Sequence, residues 1–119
     1  MSKDFHYKNY YSLNEALQIY NNIMPGEKFT LIDYNIISLA RSFHDSGQKF
    51  YMSNDQLAAM FYACEKTIRT SINRLCKFGF ITKQNIDNNR LRGRYLIYNH
   101  EAVQAFINGM QNEVKQISR

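Results

Sequence analysis

The chain has 119 residues, 45% of them apolar, 21% charged and 14% aromatic, with five glycines and one proline, a composition that describes one compact folded domain and excludes disorder as the main theme. No stretch approaches the roughly 18 consecutive apolar residues of a membrane span, and Met1-Ser2-Lys3-Asp4-Phe5-His6-Tyr7 lacks the apolar core of a signal peptide, so the expected compartment is the cytoplasm. The formal charge of +5 is concentrated: from Cys64 to Arg94 eight basic residues stand against two acidic ones, a net of +6, while the rest of the chain sums to −1, which suggests one face held for a polyanion.

The first tract, to about Met24, is rich in Tyr and Asn. Within it Ser12-Leu13-Asn14-Glu15 has the capping-box pattern, in which the Ser hydroxyl accepts from the Glu15 backbone and the Glu15 carboxylate reaches back. This predicts an aromatic arm with Phe5, Tyr7, Tyr10 and Tyr11, then a short helix with Leu13, Ala16, Leu17 and Tyr20 on its apolar side, ended by Pro25-Gly26. A second box, Thr30-Leu31-Ile32-Asp33, opens a helix of about 14 residues with Ile36, Ile37, Ala40 and Phe43 at helical spacing, up to Ser46-Gly47. Phe50-Tyr51-Met52 leans to β structure. A third box, Ser53-Asn54-Asp55-Gln56, begins a brief helix with Leu57, Ala58 and Phe61 inward, stopping near Tyr62-Ala63-Cys64.

From Glu65 a longer helix runs to Phe78, with Ile68, Ile72 and Leu75 as its buried stripe and Gly79 as the left-handed residue that ends it. The segments from Phe80 to Ile86 and from Arg94 to Tyr98 are rich in β-branched and aromatic residues, and the stretch between them, Asp87 to Gly93, makes the basic tip of a β-hairpin. A last helix begins near Asn99 or His100 and carries Val103, Phe106, Ile107, Met110, Val114 and Ile117 as a continuous stripe. The two cysteines, Cys64 and Cys76, fall on one helix about 18 Å apart, too far for a disulfide. Neither they nor His6, His44 and His100 have zinc-ligand spacing, so both read as reduced packing residues.

The order helix, short strand, short helix, tight turn, longer helix, basic hairpin resembles a winged helix-turn-helix domain. Gln56-Leu57-Ala58 matches the family's opening of the supporting helix, Thr67-Ile68 the first turn of its recognition helix, and Leu75-Cys76-Lys77-Phe78-Gly79-Phe80-Ile81 the exit into the wing. With Thr30 to Phe43 as the leading helix, the resemblance covers roughly Phe29 to Asn99, and the leading helix is similar to those of phage and plasmid replication, transfer and regulatory proteins. Two positions depart from the pattern: Tyr62 stands where the turn usually holds Gly, and Cys64 where the recognition helix usually starts on Ser or Asp. The expected fold is α+β, mainly α, a winged helix-turn-helix with an extra N-terminal helix and a long C-terminal helix. Its parts are residues 1–28 as arm and short helix, 29–99 as the winged domain, and 100–119 as a helix that packs on the domain or dimerises.

The resemblance implies a recognition helix in the major groove of duplex DNA. With Ile68, Ile72 and Leu75 inward, Lys66, Thr67, Arg69 and Thr70 are the candidates for base readout and Asn73, Arg74 and Lys77 for phosphates. Arg69 suits a bidentate contact to guanine, and Glu65 a cytosine contact or the helix N-terminus. On the wing, Asn89, Arg90, Arg92 and Arg94 suit a narrow minor groove or flanking phosphates. Neutralising about six phosphates implies a log-log salt slope near −5.

Most of the eight Phe and nine Tyr fall on apolar stripes or in strands and read as core, with Tyr95, Tyr98 and the tyrosines before Ser12 as exceptions. No phosphate-cradling glycine loop, nucleophile-histidine pairing or carboxylate cluster is present, so no enzymatic activity, cofactor, metal or small-molecule ligand is expected. Val114 and Ile117 extend the last stripe beyond what one small domain covers, which predicts a homodimer through the C-terminal helix and the aromatic arm. The expected function is sequence-specific binding of double-stranded DNA, as a transcriptional regulator or as an accessory factor marking an origin of replication or transfer on a mobile element. The alternatives are a winged-helix protein adaptor and a single-stranded nucleic-acid binder.

Overall fold

A computed structural model describes residues 2–87 and 92–117, with side chains for 13–86 and 93–113. Helix α1 spans Ser2–Ile23, α2 Leu31–Asp45, α3 Asn54–Met60 and α4 Glu65–Lys77; strands β1 Ile81–Asp87 and β2 Arg92–Tyr98 follow, and α5 covers His100–Ile117. The fold class is as the sequence predicts, with five helices and a small two-stranded antiparallel sheet among the described residues. No helix among the described residues is long and apolar enough to cross a membrane.

The expected boundary at Ser12 is corrected. Helix α1 already begins at Ser2, so Ser12 and Glu15 lie in mid-helix and no extended arm precedes a short helix. No Gly or Pro interrupts the chain between Ser2 and Ile23, so nothing upstream of the box breaks the helix. The other two boxes form as read. The Thr30 hydroxyl accepts from the Asp33 N–H at 3.3 Å while the Asp33 carboxylate accepts from the Thr30 N–H at 2.8 Å. At α3 the Ser53 hydroxyl and the Gln56 side chain do the same, at 3.1 and 2.9 Å.

Helices α2 and α4 both end at a glycine of positive φ. After α4, Gly79 at φ 79° lets its own N–H donate to the Cys76 carbonyl and the Phe80 N–H to the Leu75 carbonyl, both at 3.0 Å, which satisfies carbonyls left open at the helix end. That turn sends Phe80 into the core and the chain straight into β1. The hairpin pairs Ile81 with Tyr98 and Asp87 with Arg92 at its ends, so both strands reach further toward the tip than the sequence suggested. Phe50 adds a single bridge on the far side of β2, its carbonyl accepting from the Leu96 N–H at 3.0 Å. At the hairpin's base, the Asn99 side chain donates to the Gly79 carbonyl at 2.8 Å and to Thr82 Oγ1 at 2.9 Å, tying the exit of the wing to its entrance.

The core joins Leu13, Ala16 and Leu17 of α1, Ile36, Ile37 and Ala40 of α2, Leu57 of α3, Ile68, Ile72 and Leu75 of α4, and Val103 and Ile107 of α5. An aromatic cluster of Tyr20, Phe29, Phe78, Phe80 and Phe106, with ring centroids 4.7 to 5.9 Å apart, locks α1 and α5 over the end of α4. Tyr98 is buried with this core, whereas Tyr95 is half-buried. The side chains of Val114 and Ile117 lie outside the described residues.

Candidate nucleic-acid interface

Helix α4 is strongly two-sided. Ile68, Ser71, Ile72 and Leu75 are buried, and the opposite face presents Lys66, Thr67, Arg69, Thr70, Asn73 and Lys77 to solvent. The exposed side chains follow from helical periodicity once the buried stripe is fixed, and they form a polar, cationic surface one helix wide. Cys64 occupies the N-cap with no side-chain cap bond; its Sγ lies 3.1 Å from Thr67 Oγ1. The Thr67 hydrogen bonds hold the exposed Cys64 thiol below its ordinary pKa, while burial pushes the Cys76 thiol up.

Arg69 pairs with Glu65 one turn earlier on the same face. Hydrogen bonds from Arg69 and then Asn54 hold the Glu65 carboxyl below its usual range, so the acidic residue on this surface is already engaged. A guanidinium carries five donors, and one bond to Glu65 leaves the fork free to meet a base edge.

Two expected contacts are corrected. Arg74 does not face outward as a phosphate ligand: its side chain is 11% exposed and reaches back to Asp33, donating to both carboxylate oxygens at 2.9 and 2.8 Å, and to Glu27 at 2.7 Å. Burial works against its charge, and the Asp33 and Glu27 carboxylates outweigh that, holding the guanidinium above its ordinary pKa. The Ser71 hydroxyl also donates to Asp33, so the fully buried Asp33 is satisfied by α4 on one side and by its own cap on the other. This network fastens α4 to α2 and to the loop before it.

Arg94 is the second correction. It is half-buried and donates to the Met52 carbonyl and, at 2.6 Å, to Asn54 Oδ1, bracing β2 against the start of α3; burial lowers its pKa. Arg92 sits at the first position of β2, opposite Asp87, with its side chain outside the described residues, and Asn89 and Arg90 lie outside them altogether. Sequence reasoning missed Asp33, Glu27, Ser71 and Asn54 as members of these networks. The Thr30–Asp33 box disclosed one use of the Asp33 carboxylate, but no local pattern discloses a partner 41 residues away.

The tight turn between α3 and α4 carries Tyr62 at φ 52°, its side chain almost wholly in solvent, so a Tyr does hold the left-handed position where Gly is customary. Among the described residues no group of three His, Cys, Asp or Glu side chains could hold a metal ion.

No family model matches the sequence, and neither does any curated protein. Solved structures do match. The transcriptional regulator BldR from Sulfolobus solfataricus is 13% identical, with 98% of this chain and 78% of that one covered, and has a TM-score of 0.51. MepR, a transcription regulator of the Staphylococcus aureus multidrug efflux pump MepA, is 11% identical over 99% and 82% of the two chains, with a TM-score of 0.51. The heme sensor PefR from Streptococcus agalactiae, in complex with heme, is 12% identical over 98% and 75%, with a TM-score of 0.51. At such low identity the likeness speaks to architecture alone, and the architecture is a winged helix-turn-helix.

Proposed function

We propose that this chain is a non-enzymatic, sequence-specific binder of double-stranded DNA that acts as a transcriptional regulator, with α4 in the major groove and the hairpin tip on an adjacent groove or its phosphates. The observation that carries this reading is the outward face of α4, where Lys66, Thr67, Arg69, Thr70, Asn73 and Lys77 stand exposed and the nearby Glu65 is paired. Such donors and cations suit base edges and phosphates. Arg69 reads a base pair; Lys66 and Lys77 hold phosphates, and Arg90 and Arg92 supply the wing's charge. Several structural neighbours are described as transcriptional regulators, which favours regulation over the marking of a replication or transfer origin. Neither role needs catalysis or a cofactor.

Two copies bind together in this reading, through α5 and α1, which pack against each other. Competition between a duplex and its separated strands tests the DNA-binding reading. Retention on the duplex supports it, and equal affinity for the single strand overturns it.

A further inference from the structure

A chain of hydrogen bonds crosses three elements and ends on Arg69. Arg94 of β2 donates through Nη1 to the Met52 carbonyl and through Nη2 to Asn54 Oδ1, the latter at 2.6 Å. The Asn54 amide nitrogen donates in turn to Glu65 Oε1 at 3.4 Å. The other Glu65 oxygen accepts from Arg69. The two ends of the Asn54 amide are therefore fixed by chemistry: Arg94 offers only donors and must take the oxygen, and the Glu65 carboxylate only accepts and must take the NH2. Asn54 is not the cap of α3, which Ser53 supplies, so its side chain is not needed to start that helix.

We propose that Asn54 is a positioning residue that fixes how Arg69 meets its base pair, by joining the Glu65–Arg69 pair on α4 to Arg94 on the wing. This rests on the DNA-binding reading above. A bidentate arginine contact discriminates only when its plane is aligned with the base edge, and an exposed i,i+4 pair by itself holds a guanidinium weakly. Asn54 anchors the far side of Glu65 to a half-buried arginine, so the carboxylate that orients Arg69 is itself held. Because Arg94 lies two residues from Arg92 on the same strand, seating of the wing and choice of base are coupled through one amide.

The test uses the full chain and a set of duplexes, each differing from the preferred site at a single base pair. Arg69→Ala identifies the pair that Arg69 reads. Asn54→Ala is expected to lower discrimination at that same pair about fivefold or more, within what one bidentate contact supplies, while affinity for a random duplex and its salt slope stay as in the wild type. Asn54→Asp keeps an acceptor for Arg94 but sets a second carboxylate against Glu65, and it should show the same selective loss. Adding Asn54→Ala to Arg69→Ala should cost nothing further at that pair. Unchanged discrimination in both Asn54 variants, or a loss spread evenly over all positions, would overturn the proposal and leave the DNA-binding reading standing. A wild-type chain without preference among duplexes would remove both.

Discussion

At the scale of single residues, charge near an interface divides into groups that bind and groups that build. Arg74 and Lys77 stand three residues apart on α4, yet the Arg74 side chain is largely buried against Asp33 and Glu27 while Lys77 is exposed. Removing one partner of a buried ion pair leaves the other unpaired, so Arg74→Ala should destabilise the fold by about 3 to 5 kcal/mol in denaturant unfolding. Lys77→Ala should leave the unfolding midpoint almost unchanged and weaken binding to all duplexes alike. Tyr62 holds a left-handed conformation that costs an L-residue roughly 1 to 2 kcal/mol. Since glycine adds unfolded-chain entropy, Tyr62→Gly should raise stability by about 0.5 to 1 kcal/mol net; a fall in melting temperature would show that Tyr62 makes a favourable contact. The thiolate is the reactive form of cysteine, so Cys64, exposed and with its pKa lowered, should alkylate faster than Cys76, and bound duplex should slow that reaction. These divisions are hidden in the sequence. Spacing alone presents Arg74 and Arg94 as free cations because the partners of Arg74 lie 41 and 47 positions away and those of Arg94 40 and 42, and a local charge count cannot see across such distances.

Among the elements, local signals are dependable where stop and start agree. Thr30 and Ser53 both follow non-helical segments and both cap helices, and Gly47 and Gly79 both end them at positive φ. Ser12 has the same box without a preceding break, and α1 runs through it. The buried stripe of α4 is legible from its period alone, and with it the outward face. The wing's strands are legible from their β-branched and aromatic content, while the bridge from Phe50 to Leu96 depends on packing that sequence spacing does not encode. The corrected roles change a measurable quantity. With Arg74 and Arg94 given over to the fold, the proposed function assigns Arg69 to a base and leaves Lys66, Lys77, Arg90 and Arg92 for phosphates, and a slope of about −0.9 per contact then gives a log-log salt dependence of about −3.6 per chain rather than −5. A fluorescence-anisotropy titration across salt checks this; a slope steeper than about −5 per chain would restore Arg74 or Arg94 to the interface.

For the whole molecule, the helical frame holds α4 from three sides: the Asp33 network from α2, the Asn54 and Arg94 brace from α3 and the wing, and the aromatic cluster that joins α1 and α5 behind it. That frame leaves one polar, cationic face outward and puts the wing beside it, so that in the function proposed here a chain of 119 residues would carry both halves of a DNA-reading surface. A pair of copies joined through α5 should sediment as a dimer at micromolar concentration, and a monomer at high micromolar concentration would remove that assembly. The central claim, specific readout of duplex DNA by α4, is tested most directly by selecting bound duplexes from a random pool at near-physiological salt with single-stranded competitor present. A common enriched motif, palindromic if two copies bind together and lost at one base pair in Arg69→Ala, is the predicted result. No enrichment, with binding removed by salt or by the competitor, would contradict it.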